Sequence, residues 1–243
     1  MFGKLSDSPF RMIACDYDGT IAVDGAMSPI VERALADAQR SGFLIALVTG
    51  REFNDLKTVC KRLDMFDLVV AENGAVTYLP GTGIVTDLAT PPSSNFVAEL
   101  TREKISFSVG RVVVGIDSAE ADRLRTIIRD LGLQLEITLN RDSAMILPAG
   151  INKATGLEEG VRKLGIRLSH VIAVGDAEND IPFMGACGYA VAVANAIESV
   201  KAVADTVTDE PNGEGVAKFI NNRLLRPTAE GIPVRPTGTE IVY

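Results

Sequence analysis

Two carboxylates separated by one residue stand in Asp16-Tyr17-Asp18-Gly19-Thr20, directly after an apolar run, Met12 to Cys15, that reads as a buried strand. A sharp turn at that point holds both acids at the carboxyl edge of a sheet, where open α/β sheets bind their ligands. An isolated Asp-x-Asp more often does no more than cap a turn. The full five-residue pattern, however, arises by chance in only roughly one chain in a hundred of this length. Three further groups take equivalent positions. Thr49-Gly50-Arg51 follows a second apolar run and offers a hydroxyl and backbone N–H groups at a helix start, where anions are stabilised. Lys153 begins a helix, although the helix dipole disfavours a cation there by roughly a few tenths of a kcal/mol. Gly175-Asp176-Ala177-Glu178-Asn179-Asp180 follows a fourth run, with spacing suited to gathering Asp176, Asn179 and Asp180 around one cation. A strand-to-helix turn, a solvated lysine and an acidic helix start would each explain one of these groups. None explains their coincidence.

The elements that must position these groups are short apolar runs alternating with helical patterns, the mark of a parallel sheet built from βαβ units. After Met12 to Cys15 comes a helix with Ser28 as cap, Pro29 at its first position, Ile30, Ala34, Leu35 and Ala38 on one face, and Gly42 closing it. Leu44 to Val48 reads as a strand, Phe53 to Leu63 as a helix and Leu68 to Ala71 as a third strand. The rhythm then changes. Ala75 to Leu79 and Ile84 to Leu88 flank Pro80-Gly81-Thr82-Gly83, a hairpin signal. A helix near Asn95 to Glu103, a single strand over Val109 to Ile116, a helix from Ala119 to Leu131 and a second hairpin, Leu133 to Leu139 with Ala144 to Leu147, complete a small α+β insert. From Asn152 the alternation resumes: a helix from Lys153 to Leu164, a strand from Val171 to Val174, a helix after Asn179 and a strand from Tyr189 to Val193. The expected organisation is a core over 1–80 and 152–225, an inserted α+β unit over 81–151, and a Pro/Gly-rich tail over 226–243.

Composition narrows the classes. The chain has 243 residues, 47% hydrophobic and 23% charged, enough to bury a sizeable core. Lys+Arg 24 against Asp+Glu 32 gives a net charge of −8, the wrong sign for binding along nucleic acid. One histidine, His170, leaves no room for a multi-histidine metal centre. Cys15, Cys60 and Cys187 are widely spaced and suggest neither a disulfide framework nor a zinc site. The polar N-terminus is unlike a signal peptide, and no run has the length of a membrane span, so a cytoplasmic location without a membrane partner is expected.

With all four groups in order, the chain resembles the haloacid dehalogenase-like hydrolase superfamily. Glu72-Asn73-Gly74-Ala75 and the insert between the second and third motifs resemble its sugar-phosphate and phosphoglycolate-type phosphatases, which carry a small α/β cap there. The resemblance implies a Rossmann-like parallel-sheet core with an inserted cap, and a Mg²⁺-dependent phosphatase acting on a small phosphorylated metabolite. Asp16 would attack phosphorus to form an aspartyl-phosphate, and Asp18 would protonate the leaving alkoxide and then activate water. Asp16, Asp176 and the carbonyl of Asp18 would hold the metal, with Asn179 and Asp180 orienting its waters and Lys153. Thr49, Gly50, Lys153 and Asn179 would bind the phosphoryl oxygens. Arg51 would reach substrate or pair near Asp18. Asn73, Arg111 and Arg141 are substrate candidates, as are Ser106, Ser108 and Asp142 in the insert. A phosphomutase on the same scaffold, or a noncatalytic regulatory domain, is the alternative. An ion-pumping ATPase needs membrane spans and is excluded.

Overall fold

The runs read as strands are apolar at nearly every position, which suits a sheet covered on both faces. The computed structural model describes residues 8–140, 142–226, 232, 233 and 235. Its strands are β1 (Met12–Asp16), β2 (Ala22–Val23), β3 (Ala26–Met27), β4 (Leu44–Val48), β5 (Leu68–Ala71), β6 (Val76–Leu79), β7 (Ile84–Asp87), β8 (Phe107–Val109), β9 (Val114–Asp117), β10 (Leu135–Asn140), β11 (Ser143–Pro148), β12 (Val171–Gly175), β13 (Tyr189–Ala192) and β14 (Thr206–Val207). Its helices are α1 (Pro29–Arg40), α2 (Phe53–Val59), α3 (Ser94–Arg102), α4 (Ala121–Asp130), α5 (Lys153–Lys163), α6 (Ile181–Ala186), α7 (Glu198–Val203) and α8 (Asn212–Phe219).

The larger sheet runs β14-β13-β12-β1-β4-β5-β6-β7, parallel from β14 to β5 and antiparallel beyond. From β1 the chain steps to β4 and β5 in one direction, whereas β12, β13 and β14 step in the other. Right-handed crossovers therefore put α1 and α6 on opposite faces and open a crevice at the carboxyl ends of β1 and β12. This is the Rossmann-like α/β core expected from the sequence.

Several boundaries differ from the sequence reading. The α1 stripe is Val31, Ala34, Leu35 and Ala38, with Ile30 left 61% exposed. Starting at Val31 gives the i, i+3, i+4, i+7 spacing of one helical face. The second helix ends at Val59 because Cys60 is extended (φ −84°, ψ 97°), and a short 3₁₀ turn follows over Leu63–Met65. The hairpin around Pro80-Gly81-Thr82-Gly83 belongs to the larger sheet, so β7 lies beyond the boundary drawn at residue 80 and yet forms that sheet's edge. The run Val109 to Ile116 is two antiparallel strands, β8 and β9, joined by a turn over 110–113. The backbone there leaves the ladder to bond the Glu72 carboxylate.

The smaller sheet, β10-β11-β9-β8, is antiparallel throughout. It has its own apolar cluster, in which Val114, Ile116, Ala144 and Ile146 meet Phe96, Leu100 and Leu124 from α3 and α4. Strand alternation turns Met145 and Leu147 the other way, into the larger core. Of the tail, Ile232 packs against that core and Arg235 donates to Asp205, Met184 and Val203, so these described residues lie on the sheet's β13 side. Among the described residues no helix is long and apolar enough to cross a membrane.

The two halves of the larger core meet at a backbone contact that only glycine permits. Gly74 has φ +107°, and a Cβ there would lie 1.9 Å from the Asn152 carbonyl oxygen, one residue before α5. Gly74→Ala is expected to lose about 2 kcal/mol or more of stability. A melting temperature within one degree of wild type would show that this contact is not a constraint on the fold.

Candidate active site

The crevice between β1 and β12 receives a charge cluster from three segments. Asp16 ends β1 and is 5% exposed; Asp176 follows β12 and Asp180 lies one turn later, both fully buried. Lys153, 1% exposed, donates from Nζ to Asp16 Oδ1 and to Asp180 Oδ1, each at 2.5 Å. Its place at the first position of α5 is prepared by Asn152, whose side chain accepts from the N–H groups of Ala154 and Thr155 in a capping box. The dipole misfit noticed in the sequence is thus offset by two carboxylates. Asp180 Oδ2 accepts from the N–H groups of Asp176 (2.8 Å) and Ala177 (3.0 Å), and the Thr20 hydroxyl donates to Asp176 Oδ1 (2.9 Å).

Burial, and then the Asp180 charge, push the Asp16 carboxyl well above its usual range, against the pull of Lys153. For Lys153 burial acts downward, but Asp16 and Asp180 outweigh it and raise the ammonium above its ordinary value. Three carboxylates around one ammonium leave an uncompensated negative charge in a water-poor place, which calls for a cation. Asp16, Asp176 and Asp180 each present an oxygen within 4.8 Å of the others. These donors are all hard oxygens, which fit Mg²⁺ rather than a softer metal. Asp180 already has both oxygens committed to Lys153 and two N–H groups, so it orients the cluster, and Asp16 and Asp176 are the carboxylates that would hold the ion.

Asp18, two residues on, points the other way, with its side chain 43% exposed. Arg51 grips it with Nε (2.6 Å) and Nη2 (2.8 Å) while Nη1 reaches Asp55 (2.6 Å). The hydrogen bonds to Asp18, opposed by burial, hold the guanidinium above its ordinary pKa. Of the two roles open to Arg51 in the sequence, the structure shows the pairing with Asp18. Thr49 is buried after β4, and its Oγ1 accepts from the Arg51 N–H (3.1 Å).

Asp16, Asp18, Thr49, Gly50, Arg51 and Asn179 line one side of a cavity of about 990 Å³. The smaller sheet supplies the opposite wall, including Ser106, Ser108, Asn140 and Asp142. Lys153 sits beneath this floor. Two candidates do not face the cavity. Asn73 is fully buried, with Oδ1 accepting from Asn179 Nδ2 (3.2 Å), and so stands behind Asn179. Arg111 pairs with Asp87 on the edge strand β7 (2.6 and 2.8 Å), which turns it away. Arg141 lies outside the described residues. Sequence reasoning missed the tie from Thr20 to Asp176, although Thr20 belongs to the first motif, and it missed Glu52 in the cavity wall and the buried Glu72. Nothing in the local sequence marks Glu52, and Glu72 stands in the Glu72-Asn73-Gly74-Ala75 segment without a role of its own.

The profile of the haloacid dehalogenase-like hydrolase family matches residues 13–104 and 84–220. The chain belongs to that family. With it stands the enzyme class expected from the motifs, a hydrolase of phosphoric monoester bonds. A phosphoglycolate phosphatase of Methanothermobacter thermautotrophicus is 32% identical to this hydrolase over 216 residues, 86% of this chain and 97% of the relative. A 5-amino-6-(5-phospho-D-ribitylamino)uracil phosphatase of Bacillus subtilis is 27% identical over 243 aligned positions, 90% and 98% of the two chains. The crystal structure of a haloacid dehalogenase-like hydrolase from Bacteroides thetaiotaomicron superposes with a TM-score of 0.76 at 21% identity, covering 87% and 98%, and shows the shared fold.

A cation that relieves the buried charge must stabilise the folded hydrolase. Mg²⁺ at a hundred times its dissociation constant is expected to add about 2.7 kcal/mol to unfolding. Asp176→Asn should abolish that gain. A melting temperature indifferent to Mg²⁺ and EDTA in the wild type would place no cation among these carboxylates.

Proposed function

We propose that this hydrolase is a Mg²⁺-dependent phosphatase that cleaves a small phosphate monoester through a phosphorylated Asp16. The observation that carries the reading is the division of labour between two carboxylates one residue apart. Asp16 is buried against Lys153 at the metal-suited cluster, while Asp18 is half-exposed in the cavity wall under the grip of Arg51. The sequences of both curated relatives, which are named as phosphatases of small phosphorylated compounds, support the same class.

Asp16 and Asp176 would hold the metal, which supplies charge neutralisation between the nucleophilic carboxylate and the phosphoryl group. An Asp16 oxygen attacks phosphorus as the bond to the leaving oxygen breaks, and Asp18 delivers the proton which that alkoxide needs. Water then attacks phosphorus as the bond to the Asp16 oxygen breaks, Asp18 takes the proton of the water, and inorganic phosphate leaves with Asp16 restored as a carboxylate. The Thr49 hydroxyl and the Gly50 N–H at the cavity wall, with the Lys153 ammonium behind Asp16, would meet the non-transferred oxygens. The smaller sheet is read as a cap that shields the intermediate from bulk water and meets the leaving group. Its lining of hydroxyls, an amide and the carboxylates of Asp117 and Asp142 suits a small polar alcohol as leaving group.

Asp16→Asn is expected to lower kcat for p-nitrophenyl phosphate by about 10³-fold or more. Its melting temperature should stay at or above that of the wild type, because one of three crowded carboxylates is gone. Activity should vanish in EDTA, return with Mg²⁺ and fail to return with Ca²⁺, whose looser coordination misplaces the nucleophile. Turnover by the asparagine variant within tenfold of wild type would remove Asp16 from the chemistry.

A further inference from the structure

Glu72 is fully buried, lies outside the cavity and has no part in the chemistry above. Its carboxylate is nevertheless filled with donors. Oε1 accepts from the N–H groups of Phe53 (3.1 Å) and Arg111 (2.8 Å), and Oε2 from those of Val112 (2.7 Å) and Val113 (3.0 Å). Phe53 opens α2 on the larger core; the other three form the β8–β9 turn of the smaller sheet. One side chain therefore fastens the two sheets' units together through backbone N–H groups. Gly110 makes the approach possible, since a Cβ there would lie 2.7 Å from the carboxyl carbon and oxygens of Glu72.

The backbone around Glu72 is equally committed. The Glu72 N–H donates to the Arg51 carbonyl (2.9 Å) and the Asn73 N–H to the Thr49 carbonyl (3.0 Å). Asn73 in turn holds Asn179. Glu72 and Asn73 both have φ +53°, a left-handed conformation that ordinary residues avoid. This conformation sends the Glu72 side chain to the smaller sheet while its backbone stays on the phosphate-binding turn. The same β8–β9 hairpin carries Ser108 and Gly115 into the cavity wall two residues either side of the fastened turn.

Resting on the phosphatase reading above, we propose that Glu72 is a positioning residue that fixes the β8–β9 wall over the phosphate-binding turn, and so sets the distance between the leaving-group contacts and Asp16.

Two variants reach the contact from opposite sides. Glu72→Gln replaces one acceptor oxygen by a donor, and Gly110→Ala pushes the turn off an intact Glu72. Amide hydrogen exchange is read first and needs no activity. In both variants residues 111–113 should lose protection by tenfold or more, with β1 and β12 unchanged. Competition against p-nitrophenyl phosphate with Mg²⁺ present is read second. Inorganic phosphate, which on this proposal needs only the core, should inhibit within twofold of wild type, whereas ribose 5-phosphate, whose sugar would extend toward the β8–β9 wall, should bind at least fivefold more weakly.

Unchanged exchange at 111–113 overturns the proposal, as does lost protection with both inhibition constants unchanged, because the contact is then only structural. Equal weakening of both inhibitors in Gly110→Ala also overturns it, by showing that Glu72 serves the phosphate site itself. A wild type that hydrolyses no p-nitrophenyl phosphate would instead sink the phosphatase reading. In that case direct titration of the two ligands by calorimetry reads the same contrast.

Discussion

A buried excess of negative charge is the constraint to which the rest of this structure answers. Three carboxylates and one ammonium cannot share an apolar interior without near-complete hydrogen bonding, and each oxygen of Asp180 is spent on that requirement. The strand order answers it by parting the crossovers beside β1, so that the carboxyl ends of two neighbouring parallel strands open on one crevice. The α5 capping box answers it by fixing the helix start from which Lys153 reaches inward. The charge that remains is what a bound divalent cation would balance in the proposed reaction. On that reading, folding stability and substrate chemistry draw on the same electrostatic imbalance.

The parts legible in the sequence were those whose physics is local. The buried parallel strands appear as continuous apolar runs, and the acids and the lysine fall at their ends or at a helix start, so the crevice could be located before its geometry was known. Long-range choices were not legible. The Pro80–Gly83 hairpin announces itself, but nothing in it says which sheet it joins; that depends on β5 offering a free edge to β6. The apolar run from Val109 to Ile116 looks like a single strand because its interruption is caused by Glu72, a residue far away in sequence. Arg111 was attractive as a cationic contact for substrate, and Asp87, on a strand assigned to the insert, turns it elsewhere. Pairing partners of surface charges are set by tertiary placement, which periodicity does not encode.

The segment Glu72-Asn73-Gly74 shows how much a short connection can be asked to do. Its three consecutive positive φ values would be costly in an ordinary loop. Here each is matched to one obligation: the Glu72 carboxylate to the β8–β9 turn, the Asn73 amide to Asn179, and the bare Gly74 to the Asn152 carbonyl. In the sequence the segment shows as Glu72-Asn73-Gly74-Ala75 with its hairpin-forming Asn-Gly pair, which points to a turn without indicating what the turn touches.

Gly50 and Met145 bind two distant stretches of the gene to each other. The Met145 sulfur would lie 2.9 Å from a Cβ at position 50, so the thioether fills the space that the glycine leaves open on the Thr49–Arg51 turn. A side chain at 50 therefore requires the Met145 thioether to swing aside, so the two positions are coupled through one flexible side chain. Met145 is thus at once part of the cavity wall and a direct neighbour of the Thr49–Arg51 turn, so a change in its side chain is felt by both sheets.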